Sequence, residues 1–456
     1  MCDERLNEGG IFAIYARGTD VAKVTYFSLY ALQHRGQTGA GIAVAGPDGI
    51  RCQKGLGTVG EVFTETDLNQ LNGHMAIGHV QRGEGGVPGP EEAQPLVCRF
   101  YKGAIALEYN GNLINLSKLR EDLFANGSIF HTYTDAELMV NLIARYSRSV
   151  TLEEALMKCM VDIKGVYAMT VMSEDKLIGV RDPYGNRPLC IGRIEGNWVL
   201  ASESCTIGML GGTFVRDVAP GEIVTIDEQG LHSVMIFPRK KSALCMFEYI
   251  YFARPDSVLD GINVMSARKA MGRELAWECP VEADLVIPVP DSGIGSALGY
   301  ADALGISYNM GLIKNRYMDG SDVKTREMRR DLSVRLKLNP VTRLVEGKRV
   351  ALVDDSLIKG TTSRMIARVV REKGAREVHF LTACPPVRYP CKYGVGTFRG
   401  DELTAAARTV EETRRFIGCD SLYYLSLEGI YRALGSESGF CAACFDGVYP
   451  VNGGEA

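Results

Sequence analysis

Residues 350–363 read VALVDDSLIKGTTS, an apolar run that ends in Asp354 and Asp355 and passes through Ser356, Lys359 and Gly360 to Thr361, Thr362 and Ser363. The run has the length and composition of a short buried strand, and the turn after it opens a helix. Backbone N–H groups and hydroxyls at a helix N-terminus suit a phosphate. The carboxylates stand before the turn, where they suit ribose hydroxyls or Mg²⁺. An acidic pair alone reads more simply as a strand ending in solvated acids ahead of a capped helix. Carboxylates and phosphate cradle together point to a sugar phosphate.

Outward from this stretch, ADLVIPVP (283–290), a Gly-rich turn, an Ala-rich helical stretch, GKRVALVDD (347–355), a helix to Lys373 and EVHFLTA (377–383) alternate strand with helix. That order predicts a parallel sheet of α/β type. Residues from about 10 to 235 differ: the apolar runs Ile11 to Tyr15, Gly41 to Val44, Ala104 to Tyr109 and Val166 to Met172 follow one another through Gly-rich turns, with helical stretches at Ala136 to Ser147 and Leu152 to Met160. Short turns between strands predict antiparallel sheets flanked by helices, an α+β unit. The basic segment FPRKKSALC (237–245) separates the halves, giving domains at 1–238 and 239–456.

The 456 residues are 46% hydrophobic, enough for more than one core, and the net charge of -4 comes from 51 basic and 55 acidic residues with no long run of either sign. Nucleic acid and anionic membrane surfaces are therefore not expected partners. The start MCDERLNEGG lacks an apolar core, and no stretch reaches the roughly eighteen apolar residues of a membrane span, so a soluble cytoplasmic protein is expected. Thirteen cysteines without a signal peptide read as reduced thiols, most of them small core residues. Cys441 and Cys444 form CAAC, a spacing that brings thiolates onto one ion or cluster.

The string VDDSLIKGTTS resembles the phosphoribosylpyrophosphate-binding motif of type I phosphoribosyltransferases, in the form found in the glutamine phosphoribosylpyrophosphate amidotransferase family. CMFEYIYFARPDSVLDGINV, VIPVPDSG, GLIKNRY, VRLKLNP, YLSLEGI and FCAACFDGVYP resemble that family's second half, and LQHRGQTGAGIA, YNGNLIN, GVRDPYGNRPL and ASES its first. The resemblance implies an α+β N-terminal-nucleophile-hydrolase-like class II glutamine amidotransferase domain, an αββα sandwich, followed by an α/β type I phosphoribosyltransferase domain. It implies an amidophosphoribosyltransferase of purine biosynthesis. Asp354 and Asp355 would hold Mg²⁺ and the ribose, Ser292 would help at the metal, and Ser356, Lys359, Gly360, Thr361, Thr362 and Ser363 would hold the 5′-phosphate. In the iron–sulfur subgroup the four ligands match Cys245, Cys391, Cys441 and Cys444, which makes a [4Fe–4S] cluster the leading reading over zinc or free thiols. The ligand would be phosphoribosylpyrophosphate or a purine nucleotide. A homo-oligomer is implied, with a hetero-oligomer containing an active relative as the alternative.

The first half departs from the family where its chemistry is done. A cysteine with its own α-amine as base attacks glutamine in such enzymes, and Gly9 of LNEGGIFAIYA stands in its place. Cys2 lies seven residues upstream, about 20 Å along an extended chain. The family's arginine clamp for the glutamine carboxylate is replaced by Gln81 of GHVQRGEGG, and Arg82 is expected to point elsewhere by strand alternation. Asn110 and Gly111 match the oxyanion-hole pair, Arg35 and Asp135 match glutamine contacts, and Tyr109 stands where histidine is common. Asn and Gly also serve turns, so their retention is explained by backbone geometry alone. In the second half, residues 318–331, MDGSDVKTREMRRD, replace the family's closing loop, with Asp319, Asp322 and Lys324 among them. Three functions follow as expectations: ammonia-dependent phosphoribosylamine formation with a dead glutaminase, a non-catalytic nucleotide-binding regulator or partner, and the full glutamine-dependent reaction through Cys2.

Overall fold

The structure is a computed structural model that describes residues 8–83, 89–237, 242–316, 338–394, 396, 400–436 and 438–451. Period-2 apolar runs in the first half pair through short turns into two antiparallel sheets. The first contains β1 (Glu8–Tyr15), β2 (Gly39–Gly46), β3 (Gly49–Leu56), β4 (Met75–Arg82), β9 (Cys190–Ile194), β10 (Asn197–Ala201) and β11 (Thr213–Asp217), in the order β11-β9-β10-β1-β4-β2-β3. The second contains β5 (Leu96–Phe100), β6 (Gly103–Leu113), β7 (Gly165–Met172), β8 (Leu177–Arg181), β12 (Glu222–Asp227) and β13 (Gly230–Met235), in the order β13-β12-β8-β7-β6-β5. Ile11, Ala13, Ile77, Ala106, Ala168 and Val224 fill the space between the sheets. Helices cover both outer faces: Val21–Ala31 packs on the first sheet, and Asp135–Tyr146 and Leu152–Asp162 pack on the second. This is the αββα sandwich.

The helix Val21–Ala31 did not announce itself, because Val, Thr, Tyr and Phe favour strands. Burial decides it: Val21, Ala22 and Leu29 enter the core. Asp20 caps it through Lys23 N–H at 3.1 Å, and the Thr25 and Ser28 hydroxyls donate to carbonyls one turn back, Val21 at 2.7 Å and Val24 at 2.8 Å.

In the second half the strands Leu285–Pro288, Arg349–Asp354, Glu377–Thr382 and Ser421–Tyr424 form a parallel sheet in that order. The first three are the runs read from sequence; the fourth is a short edge strand with an exposed Tyr423 and no apolar run to mark it. Helices Val264–Glu278 and Ile294–Leu304 cross so closely that a Cβ on Gly272 would lie 1.9 Å from the Ser296 carbonyl. Far along the chain, Phe440–Cys441 pairs in parallel with Leu244–Cys245, setting Cys441 beside Cys245. No helix among the described residues is long and apolar enough to cross a membrane.

Candidate functional site

The strand Arg349–Asp354 ends at the carboxylates, and the helix Thr361–Glu372 begins after Gly360, whose φ of 70° lies in the left-handed region that glycine enters without strain. Gly360 caps the helix with no side-chain hydrogen bond, so the first N–H groups face the turn without an intrachain side-chain acceptor. Thr361 and Thr362 stand exposed there, whereas Ser363 is turned inward at 4% exposure and is not at the surface of the cradle. The Lys359 ammonium pairs with Glu402 at 2.8 Å.

Asp354 and Asp355 are almost wholly buried. Ser292 donates to Asp355 Oδ2, Ser356 donates to Oδ1 at 2.5 Å, and the Asp355 N–H donates to Asp354 Oδ1 at 2.9 Å. Thus the predicted trio Ser292, Asp354 and Asp355 is brought together. Burial, and then the charge of Asp355, hold Asp354 well above the usual carboxylate range. Burial raises Asp355 too, although the Ser292 and Ser356 hydroxyls and the Arg268 charge oppose it. Arg268 escaped sequence reading because it sits in a helix outside any motif. Its guanidinium is fixed by the carbonyls of Tyr249, Tyr251 and Ala253 at 2.8, 2.9 and 2.8 Å.

Cys245, Cys391, Cys441 and Cys444 line one cavity of about 250 Å³, which extends to Ser356 of the phosphate loop. Among the described residues no group of three His, Cys, Asp or Glu side chains is placed to hold a metal ion. None of the described cysteines forms a disulfide. Burial pushes Cys245 and Cys444 well above the ordinary thiol value and Cys441 up to about 12.

In the sandwich, β1 places Gly9 directly opposite Gln81 of β4. A Cβ on Gly9 would lie 2.4 Å from the Val80 carbonyl and 2.5 Å from His79 Cε1 and Nε2, so the imidazole fills the space where a nucleophile's side chain would begin. Burial pushes His79 down to about 3, leaving a neutral ring whose two nitrogens find no hydrogen-bond partner. Gln81 Oε1 and both side-chain heteroatoms of Asn110 are likewise buried and unpartnered. Gly111 is required by close approach, since a Cβ would meet the Val166 carbonyl at 2.1 Å. Asp135 opens its helix and accepts from the Leu113 N–H at 2.9 Å. Arg82 lies over the Phe252 ring at 5.6 Å and lines the thiol cavity. Gly9→Cys is expected to leave glutamine hydrolysis at the parent's background and to cost about 1–3 kcal/mol of stability by overpacking; glutamate release and urea unfolding of the variant check both.

Arg35 has partners inside the protein: its guanidinium is buried against Glu203 and Glu248, with one contact to Glu248 at 3.2 Å. His34 Nε2 meets Glu203 at 2.7 Å from the same side. Cys2, the domain boundary at 238/239 and the substituted loop 318–331 lie outside the described residues.

Comparison with known proteins covers both halves. A glutamine amidotransferase domain matches residues 87–208 and a phosphoribosyl transferase domain matches residues 262–395. The chain is 44% identical over 450 residues to the amidophosphoribosyltransferase of Bacillus subtilis, spanning 97% of this chain and 94% of that protein. To the amidophosphoribosyltransferase of Archaeoglobus fulgidus it is 46% identical over 448 residues, spanning 97% and 98%. The solved glutamine phosphoribosylpyrophosphate amidotransferase of B. subtilis, complexed with ADP and GMP, superposes with a TM-score of 0.92 at 43% identity over 98% of both chains. With sandwich, phosphoribosyltransferase sheet and full-length likeness all in agreement, the chain belongs to the amidophosphoribosyltransferase family.

Proposed function

We propose that this chain binds phosphoribosylpyrophosphate with Mg²⁺ and forms phosphoribosylamine from free ammonia, its glutaminase half being inactive. The reading is supported above all by Gly9, which has no side chain to attack an amide and faces a neutral Gln81 across the sheet. The acidic pair and phosphate turn of the transferase half support the reading, although residues 318–331 depart from the family's closing loop. Asp354 and Asp355 would hold the cation and the ribose hydroxyls, with Ser292 and Ser356 orienting Asp355, while the turn from Ser356 to Thr362 and the uncapped helix would receive the 5′-phosphate. The cation, when bound, neutralises charge on the departing pyrophosphate. Cys245, Cys391, Cys441 and Cys444 would hold a [4Fe–4S] cluster that fastens the C-terminal segment to the domain. A homo-oligomer is part of this reading.

A second reading, a nucleotide-binding regulator or a partner of an active relative, is supported by the B. subtilis relative, whose structure carries ADP and GMP. Pyrophosphate release measured anaerobically, with glutamine and separately with ammonium, decides. Ammonium-only turnover is expected. Turnover with glutamine would reinstate the full reaction, and none with either nitrogen source would leave the regulator.

A further inference from the structure

We propose that Asn186 and Arg187, on a turn of the N-terminal domain, are positioning residues of the thiol cage, so that both domains hold the cluster together. The proposal rests on the cluster reading above. The turn is rigid: the buried Asp182 carboxylate accepts from Tyr184 N–H at 2.8 Å and Asn186 N–H at 2.9 Å. Arg181 donates to the carbonyls of Gly185 at 2.8 Å and Arg187 at 2.9 Å.

Two of the four cysteine segments hang from this turn. The Cys245 N–H donates to the Asn186 carbonyl at 3.2 Å, and the Ala243 N–H donates to the Tyr184 carbonyl at 2.8 Å. The Asn186 side-chain amide donates to the Ala243 carbonyl at 2.7 Å, and Asn186 itself lines the cavity. Arg187 donates to the Tyr393 carbonyl at 2.7 Å, and the Tyr393 N–H in turn points at Cys391 Sγ at 3.3 Å. Asn112 braces the same segment, donating to the Lys392 carbonyl at 2.9 Å.

Arg187 is 2% exposed, and its charge acts on Cys245. A buried cation whose charge acts on Cys245 is favoured by an anionic assembly there: four thiolates around a cubane core of charge +2 leave a net charge of −2. Removing the cation makes the further electron of reduction harder to accept. The uncharged Asn112 tie supplies the control, because cutting it loosens the segment without altering the field.

Iron and sulfide content of the anaerobic parent come first; their absence sinks the cluster reading itself. In loaded protein, the midpoint potential followed by electron paramagnetic resonance is expected to fall in Arg187→Met until reduction is about tenfold less favourable, ~59 mV for one electron. Arg187→Lys is expected to retain most of the parent value, and Asn112→Ala all of it. Asn186→Asp, which keeps the size and adds a negative charge to the cage wall, is expected to shift in the same direction as Arg187→Met and serves where the latter fails to load. A potential equal to the parent's in the loaded Arg187→Met or Asn186→Asp variant overturns the proposal and leaves the turn as an interdomain brace.

Discussion

Arg35→Met is expected to destabilise the fold by about 3–5 kcal/mol, because it removes the guanidinium that two buried carboxylates share. Glu203 and Glu248 both lie on the guanidinium, and their side chains are 0% and 1% exposed. Burial alone would raise Glu203, but Arg35 and then His34 overturn that and hold it well below the usual carboxylate range. The parent thus gains stability from Glu203 above the ordinary glutamate value of about 4.3 and loses it as pH falls further, so this pair contributes no slope between pH 8 and pH 5. In the variant Glu203 keeps His34, the Ser257 hydroxyl and the Arg254 N–H but loses its main countercharge, so its folded-state value lies above the parent's and its stabilising contribution is lost at a higher pH. Urea unfolding at several pH values measures both effects; a variant within 1 kcal/mol of the parent would show that the two carboxylates find other partners.

Asp355→Asn is expected to cost at least about a hundredfold in ammonium-dependent turnover, since it removes one of the two carboxylates offered to the cation. The same change is expected to stabilise the unliganded protein, because the amide carries no charge to desolvate. Burial raises Asp355 in the folded state, so its stability contribution is fully present below the unfolded value of about 3.9 and lost as pH rises through the folded one. At pH 7 the parent bears that cost together with repulsion from Asp354, and an amide removes both. Thermal unfolding with and without Mg²⁺ and phosphoribosylpyrophosphate separates the effects: the ligand shift should vanish in the variant while the unliganded midpoint rises. A variant that still shifts with ligand would mean that Asp354 and the phosphate turn suffice for binding.

The local motifs were the legible part of this chain. The strand Arg349–Asp354, the Gly360 turn and the helix after it form one uninterrupted stretch, so spacing alone fixed their relation. Hidden from sequence were long-range charge pairings. Arg35 pairs with Glu203 and Glu248, which are distant along the chain. Arg268 carries no motif because its anchors are backbone carbonyls, which any sequence supplies. The helix Val21–Ala31 was missed for a related reason: tertiary burial outweighed residue preference.

The parallel pairing of Cys245 with Cys441 bears on how the polypeptide is born. Synthesis runs from the amino end, and domains generally fold as units in that order. The sandwich can close as soon as its own strands have emerged, but the strand pair at Leu244–Cys245 has no partner until Phe440–Cys441 has been translated. During that interval the turn bearing Asn186 and Arg187 waits with the segments that will cover it still unmade or unattached. A nascent chain stalled before residue 440 would therefore display an open seam, and that seam is a surface by which unfinished copies can be told from finished ones.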